Sequence, residues 1–384
     1  MNGRTSRWAM CATGLLLVVA ACAPRVSAES WTCSLAGPDR GALMDAVIDA
    51  STILAVGATR HRHMPPYQGD VLIVRTDAQG AVLWERTWGG TGYEQAWSIA
   101  PAPAGGFFVF GETDSYGAGD RDFLLLRIDG QGEEIWFQTY GTPLREWPFG
   151  MLPLANGDLL LYGRTENEHT RTEDRYAVRV SAPGAVVWEY HAPSGHEEII
   201  MDARETDAGD LVLCVSRNED PMLVKLDASG RAVWEKHHAL PGWQFGSSLA
   251  ATADGGWLLA GFEMVTADQP HADVWLAHLT AVGNLVSETS FGRPGEDDYA
   301  HSLLRLSDGT YLVGGLGRGL PLFRLGEDGT LLGERRMADD AIYVAGELVE
   351  MEDGGILIPA MKQLVPGRSY DALLIKVDQE GIPE

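Results

Sequence analysis

The chain has little cysteine: four residues in 384, at positions 11, 22, 33 and 214. Cys11 and Cys22 fall in an N-terminal leader, so one possible pair remains, which is no disulfide framework. CxxC and CxxCH spacings do not occur, which removes zinc-ribbon, c-haem and thioredoxin-like chemistry. Cations are scarce too: 29 Lys and Arg stand against 54 Asp and Glu, a net charge of −25. Such a surface repels nucleic acid and anionic membrane faces and suits cations or basic partners. The longest apolar run, LLLVVAA (15–21), is too short for a stable spanning helix. Neither a GxSxG elbow, an HExxH pair, a P-loop nor a dinucleotide fingerprint stands out.

Glycine, by contrast, is abundant at 46 residues, and its placement is periodic. The stretch GDVLIVRTDAQGAVLWERTWGG (69–90) reads as a β-hairpin turning at Asp77 and Gly80. Its turn glycine recurs at Gly80, Gly132, Gly184, Gly230, Gly283, Gly329 and Gly381, with spacings of 52, 52, 46, 53, 46 and 52 residues. A second ladder of turns runs in the same register: AGG (104–106), NGD (156–158), AGD (208–210), DGG (254–256), DGT (308–310) and DGG (353–355). Asn-Gly and Asp-Gly pairs supply the positive φ angles that tight hairpins need. A period near fifty without helical patterning is the signature of a propeller blade of four antiparallel strands.

Trp84, Trp136, Trp188 and Trp234 each follow their turn glycine by four residues, whereas the place four residues after Gly381 would be 385, one past the last residue given. The missing outer strand is found at the other terminus, where WTCSLAGPDRGALMDA (31–46) aligns with WERTWGGTGYEQAWSI (84–99). The expectation is an all-β, seven-bladed β-propeller of four-stranded blades over residues 30–384, its ring closed by the N-terminal strand completing the C-terminal blade. Closure leaves no open sheet edge. The pattern DGG…DxxG…W resembles the quinoprotein-like and kelch-like repeats of bacterial secreted propellers. That resemblance covers residues 31–384 and implies a fold without implying an activity.

Residues 1–21 carry Arg4, Arg7 and then the apolar run, which is the layout of a signal peptide. The run ends VAAC (19–22), which resembles the lipobox of bacterial lipoproteins and implies lipid attachment at Cys22, a short tether over 22–29 and an outer-membrane destination. Cleavage after Val-Ser-Ala (26–28) is the rival, giving a soluble periplasmic or secreted chain.

A basic ladder stands five residues before each turn glycine: Arg75, Arg127, Arg179, Lys225, His278, Arg324 and Lys376. Five residues after the same glycines come Glu85, Phe137, Glu189, Glu235, Glu288 and Glu334, so the expectation is cation–carboxylate pairing across the two outer strands of five blades.

The loops joining second to third strands, and each blade to the next, are long and irregular, and that face is expected to carry function. Where the loops enter the innermost strands, two tiers of polar residues recur. The first reads Glu94, Glu146, Glu198, Gln244 and Asp298, then Tyr343 and Gly41; four residues on come Ser98, Gly150, Asp202, Ser248, Ser302, Glu347 and Asp45. Trp97, Trp147 and His301 lie beside them. These residues form the candidate binding site. No cofactor is expected, calcium being the one ion such converging oxygens could take; the rival is that each acid serves its own loop. His61 and His63 offer a weaker metal motif. The function expected is a non-catalytic binding or assembly scaffold, monomeric, presenting its loop face to a protein or glycan. The alternative is a polysaccharide lyase or hydrolase using the same carboxylates.

Overall fold

The computed structural model describes residues 30–378 apart from 36–40, 61–67, 170–171, 219, 266–270 and 366–368. The leader, Cys22, the tether, His61, His63 and Gly381 lie outside the described residues. All regular structure among those described is β-strand, in antiparallel ladders.

Five sheets hold four sequential strands each, beginning at Ala42, Glu94, Glu146, Glu198 and Gln244. The second sheet shows how sequence sets burial. Phe107–Thr113 and Asp122–Ile128 are buried at every position, whereas Glu134–Tyr140 is mostly open to solvent. Middle strands with neighbours on both faces need continuous apolar runs, and an outer strand does not. The remaining strands form one nine-stranded sheet in which Ile342–Ala345 pairs both with Tyr311–Arg318 and with Ile356–Val365. Its far edge is the N-terminal strand Trp31–Ser34, paired with Ser369–Val377 from Trp31 opposite Lys376 to Ser34 opposite Leu373.

The apolar core is a series of layers between adjacent sheets. Phe108, Phe110, Phe123 and Leu125 of the second sheet pack with Leu159, Leu161, Tyr176 and Val178 of the third. Leu43, Ile53, Ala55 and Leu72 of the first meet Leu357, Ala372 and Leu374 near the C-terminus. The backbone follows suit, with Glu347 N donating to Met44 O at 3.0 Å.

Each innermost strand of the five sheets carries a register shift, between Leu43 and Asp45, Ala96 and Ser98, Pro148 and Gly150, Ile200 and Asp202, and Gly246 and Ser248. Ala300 and Ser302 repeat it in the large sheet. The skipped residue is a β-bulge, which breaks the two-residue alternation and re-aims one side chain. Glycine on the adjoining strand makes room: a Cβ on Gly111 would lie 1.9 Å from Gln95 O, and one on Gly315 would lie 1.6 Å from Tyr299 O.

The basic ladder pairs differently from the expectation. Arg179, Lys225, His278 and Arg324 meet Asp158, Asp210, Asp254 and Asp308 at 2.8, 2.8, 3.5 and 2.5 Å, all acids of the first hairpin turn. Arg75 likewise binds Asp49, and Lys376 binds Asp353. Arg127, whose turn AGG has no acid, donates to the carbonyls of Gly105, Phe107 and Ile128. The reason is register: Val178 faces Glu189 while Arg179 faces Trp188, so base and glutamate point to opposite sides of the sheet.

Candidate functional site

The bulges build the site. The re-aimed residues Met44, Trp97, Phe149, Met201, Ser247 and His301 all line one central cavity of about 930 Å³. Arg60, Tyr93, Gln95, Glu112, Arg121, Trp147 and Arg164 surround its loop-rich end.

The residue after each bulge forms a belt that joins one sheet to the next. Asp45 Oδ2 accepts from Ser98 Oγ at 3.0 Å and from Ile99 N at 2.8 Å, while its Oδ1 accepts from Ala46 N at 2.7 Å. Asp202 repeats the arrangement with Ser248 Oγ at 3.1 Å, Leu249 N at 2.8 Å and Ala203 N at 2.7 Å. Ser248 Oγ then accepts from Leu303 N at 3.1 Å, and Ser302 Oγ from Leu348 N at 3.1 Å. At the third belt position Gly150 has no side chain, and Tyr162 fills the gap: its hydroxyl would lie 2.2 Å from a Cβ there. That hydroxyl donates to Asp202 at 3.4 Å.

Asp45, Asp202 and Glu347 line the cavity, as does Arg204, which is bonded to Asp202. Burial pushes the Asp45 carboxyl up to about 6 against the pull of its three hydrogen bonds. Glu347 is pushed to about 7, first by its enclosure deep in the channel and then by the charges of Asp202 and Asp45. The Glu347 side chain is nonetheless open to the cavity, and Ser302 Oγ, at 3.0 Å from Oε2, is its one hydrogen-bond donor among the described residues. Burial lowers His301 to about 4, so it stands neutral at physiological pH.

The first tier lies elsewhere. Glu94, Glu146, Glu198 and Asp298 are fully buried and do not line the cavity. Glu94 accepts from Gly90 N and Thr113 Oγ1, both at 2.8 Å. Glu198 is paired with Arg175 at 2.8 Å and Arg217 at 3.3 Å. Asp298 receives Arg336 at 2.7 Å on both oxygens and Arg293 N at 2.9 Å. Glu146 binds the hydroxyls of Thr142 at 2.8 Å and Thr165 at 2.7 Å through one oxygen, and the other has no hydrogen-bond partner among the described residues. Burial, with Asp122 adding to it, raises Glu146 to about 7. These acids fasten their own connections.

Two aromatic candidates, Trp97 and Trp147, do face the cavity. Trp97 stands 6.1 Å from Phe149, ring to ring, and its indole N–H has no hydrogen-bond partner among the described residues. The guanidinium groups of Arg121 and Arg164 lie over the Trp147 ring at 5.1 and 4.8 Å. Arg121 is paired with Glu112 at 3.2 Å, and Arg164 with Glu173. Met44, Met201, Met361, Tyr162, Arg121 and Arg164 were not among the sequence candidates, and the broken alternation at each bulge is the signal that could have found the first two. Among the described residues no three His, Cys, Asp or Glu side chains are grouped to hold a metal.

No family model and no curated protein matches the chain. Solved structures do. Drosophila Plexin A in complex with Semaphorin 1b has 8% identity, covering 92% of this chain and 88% of that one with a TM-score of 0.55. The Neurospora crassa Pan2 WD40 domain has 9% identity, covering 88% and 89% with a TM-score of 0.54. YCF48 bound to D1 peptide has 12% identity, covering 91% and 97% with a TM-score of 0.54. At such identities the likeness is one of fold: the chain is a β-propeller.

Proposed function

We propose that this chain is an exported, lipid-anchored binding protein, a propeller of seven blades whose central cavity receives a protein or glycan ligand from the loop-rich face. The nine-stranded sheet is taken as two blades fused through Ile342–Ala345, the last completed by Trp31–Ser34. Seven apolar layers, one per junction, support that count.

The observation that carries the reading is the cavity: about 930 Å³, apolar and aromatic in its walls, with polar groups gathered at its floor and rim. Pockets of this size and make-up are the usual places for a ligand. Asp45 and Asp202 are engaged in joining blades, which suits a scaffold better than a catalytic pair. A peptide is the ligand named for YCF48, and a channel through stacked blades suits such an extended segment.

A second reading has one specific observation behind it. Glu347, open to the cavity and near 7, has the protonation behaviour of a general acid, so a polysaccharide hydrolase or lyase remains the alternative.

Peptide and glycan arrays probed with the full chain test the proposal. Trp97→Ala is expected to weaken a captured ligand about tenfold or more, as loss of a buried aromatic anchor does. A ligand held equally well by wild type, Trp97→Ala and Phe149→Ala would remove the cavity from the function. Chain cleavage of an arrayed polysaccharide that stops in Glu347→Gln would favour the enzyme.

A further inference from the structure

The cavity lining as a whole is even in charge, with Arg60, Arg121, Arg164 and Arg204 against Asp45, Glu112, Asp202 and Glu347, but the signs are spread unevenly with depth. Asp45, Asp202 and Glu347 stand against Arg204 alone at its floor, and Arg204 is bonded to Asp202. Nothing else there supplies positive charge: His301 is neutral, and the Tyr162 phenol donates to Asp202. Cys214, the remaining titratable group near Asp202, is a buried thiol whose pKa is raised by that burial. The other cations of the lining stand at the rim, where Arg121 and Arg164 are held by Glu112 and Glu173 and Arg60 lies beside them. Arg204, whose charge also bears on Glu347, is thus shared among three acids at the floor.

A metal is a poor occupant. Calcium takes six to eight oxygens, and both Asp45 oxygens already accept backbone or hydroxyl donors. An ammonium group needs fewer partners and can share acceptors that are already bonded. Above the floor the walls are Met44, Met201, Met361, Trp97 and Phe149. Methionine adapts to apolar groups of differing shape, which suits side chains better than sugar rings. Both guanidinium groups over Trp147 also occupy the ring that a sugar would stack on.

Depth separates a chain terminus from a lysine. The belt lies four residues below the first tier, about 13 Å along a strand. A lysine on a segment resting at the rim is too short to reach it, whereas an extended amino terminus arrives after about four residues.

Building on the cavity as the ligand site, we propose that its occupant is the free amino terminus of a peptide, the ammonium seated on Glu347 and Asp45 and the first residues lying between the methionine and aromatic walls. An ammonium there favours the ionised form of both acids, so binding sheds protons near neutral pH and tightens as pH rises from about 5 to 7. It weakens again above about 8, where an α-amine loses its own proton.

The test is calorimetry on the full chain with a pooled set of tetrapeptide amides, compared with the same pool acetylated at the amino end and with a glucosamine tetramer. Free-amine peptides are expected to bind about tenfold or more tightly than acetylated ones. Glu347→Gln should bring the two pools level, and wild type should release protons in buffers of differing ionisation heat, a readout independent of any variant. Equal binding of both pools overturns the amino-terminus inference but leaves the cavity standing if Trp97→Ala weakens both. Binding of the glucosamine tetramer in place of the peptides assigns the floor to an amino sugar and overturns it also. No binding by any probe, with Trp97 fluorescence unmoved, overturns the inference and the cavity reading together.

Discussion

The indole of Trp31 covers Gly80 so closely that a Cβ there would lie 2.6 Å from its ring. Trp84 covers Gly132, Trp188 covers Gly230 and Trp234 covers Gly283 in the same way, each from an outer strand onto the third-to-fourth-strand turn of the next sheet. Trp31 Nε1 donates to Ala78 O and Trp188 Nε1 to Ala228 O, both at 3.2 Å and both two residues before the covered glycine. A residue at the start of the described chain thus takes the role that its counterparts take within the repeat.

Trp31→Ala is accordingly expected to lower stability by about 2–4 kcal/mol, in the range of a large aromatic lost from a packed site. Denaturant titration beside Trp188→Ala makes the comparison, and the two losses should match within about 1 kcal/mol. A change in Trp31→Ala within about 0.5 kcal/mol would remove the terminal strand from the closing role.

The raised carboxyls make stability fall as pH rises. Asp45 at about 6 and Glu146 at about 7 hold protons in the folded chain that the unfolded chain has already released. The folded form therefore binds more protons between about pH 4 and 7, and unfolding becomes easier through that window. Glu146→Gln removes one such group and, with it, the repulsion between Glu146 and Asp122. The variant should gain about 1–3 kcal/mol at pH 8 and show a flatter profile between pH 5 and 8. Equal profiles for wild type and variant would show that Glu146 is ionised in the fold.

The corrected ladder is open to double-mutant cycles. Arg179 lies beside Asp158 at 2.8 Å and also donates to Ala228 O at 3.1 Å, with both partners of the pair mostly buried. Coupling between Arg179→Ala and Asp158→Ala should reach about 1 kcal/mol, and coupling between Arg179→Ala and Glu189→Ala should be near zero. The reverse ranking would restore pairing across the outer strands.

The turns, the strand spacing and the polarity of each strand were legible in the sequence because hairpin glycines and apolar runs act locally. Trp31 was found by the same route. The site was legible only in part. Asp45, Asp202, Glu347, Trp97, Trp147 and His301 do gather at one cavity, but Glu94, Glu146, Glu198 and Asp298, equal in rank by alignment, turn inward to their own loops. One bulge separates the two tiers, and a bulge has no composition of its own. The ladder partners were hidden for the same kind of reason: a register shift after Arg179 sets which residue faces which.

Anchoring turns on Cys22, which lies outside the described residues. If the VAAC segment directs lipid attachment, Cys22→Ser removes the thiol that carries the lipid. The net charge of −25 opposes adsorption to anionic lipid, so no electrostatic attachment should mask the loss. The variant is expected to move from the membrane fraction to the soluble fraction, and metabolic labelling with a fatty acid should vanish with it. Identical fractionation of wild type and variant, with an amino terminus at Glu29, would assign cleavage after Ala28 and a soluble exported propeller.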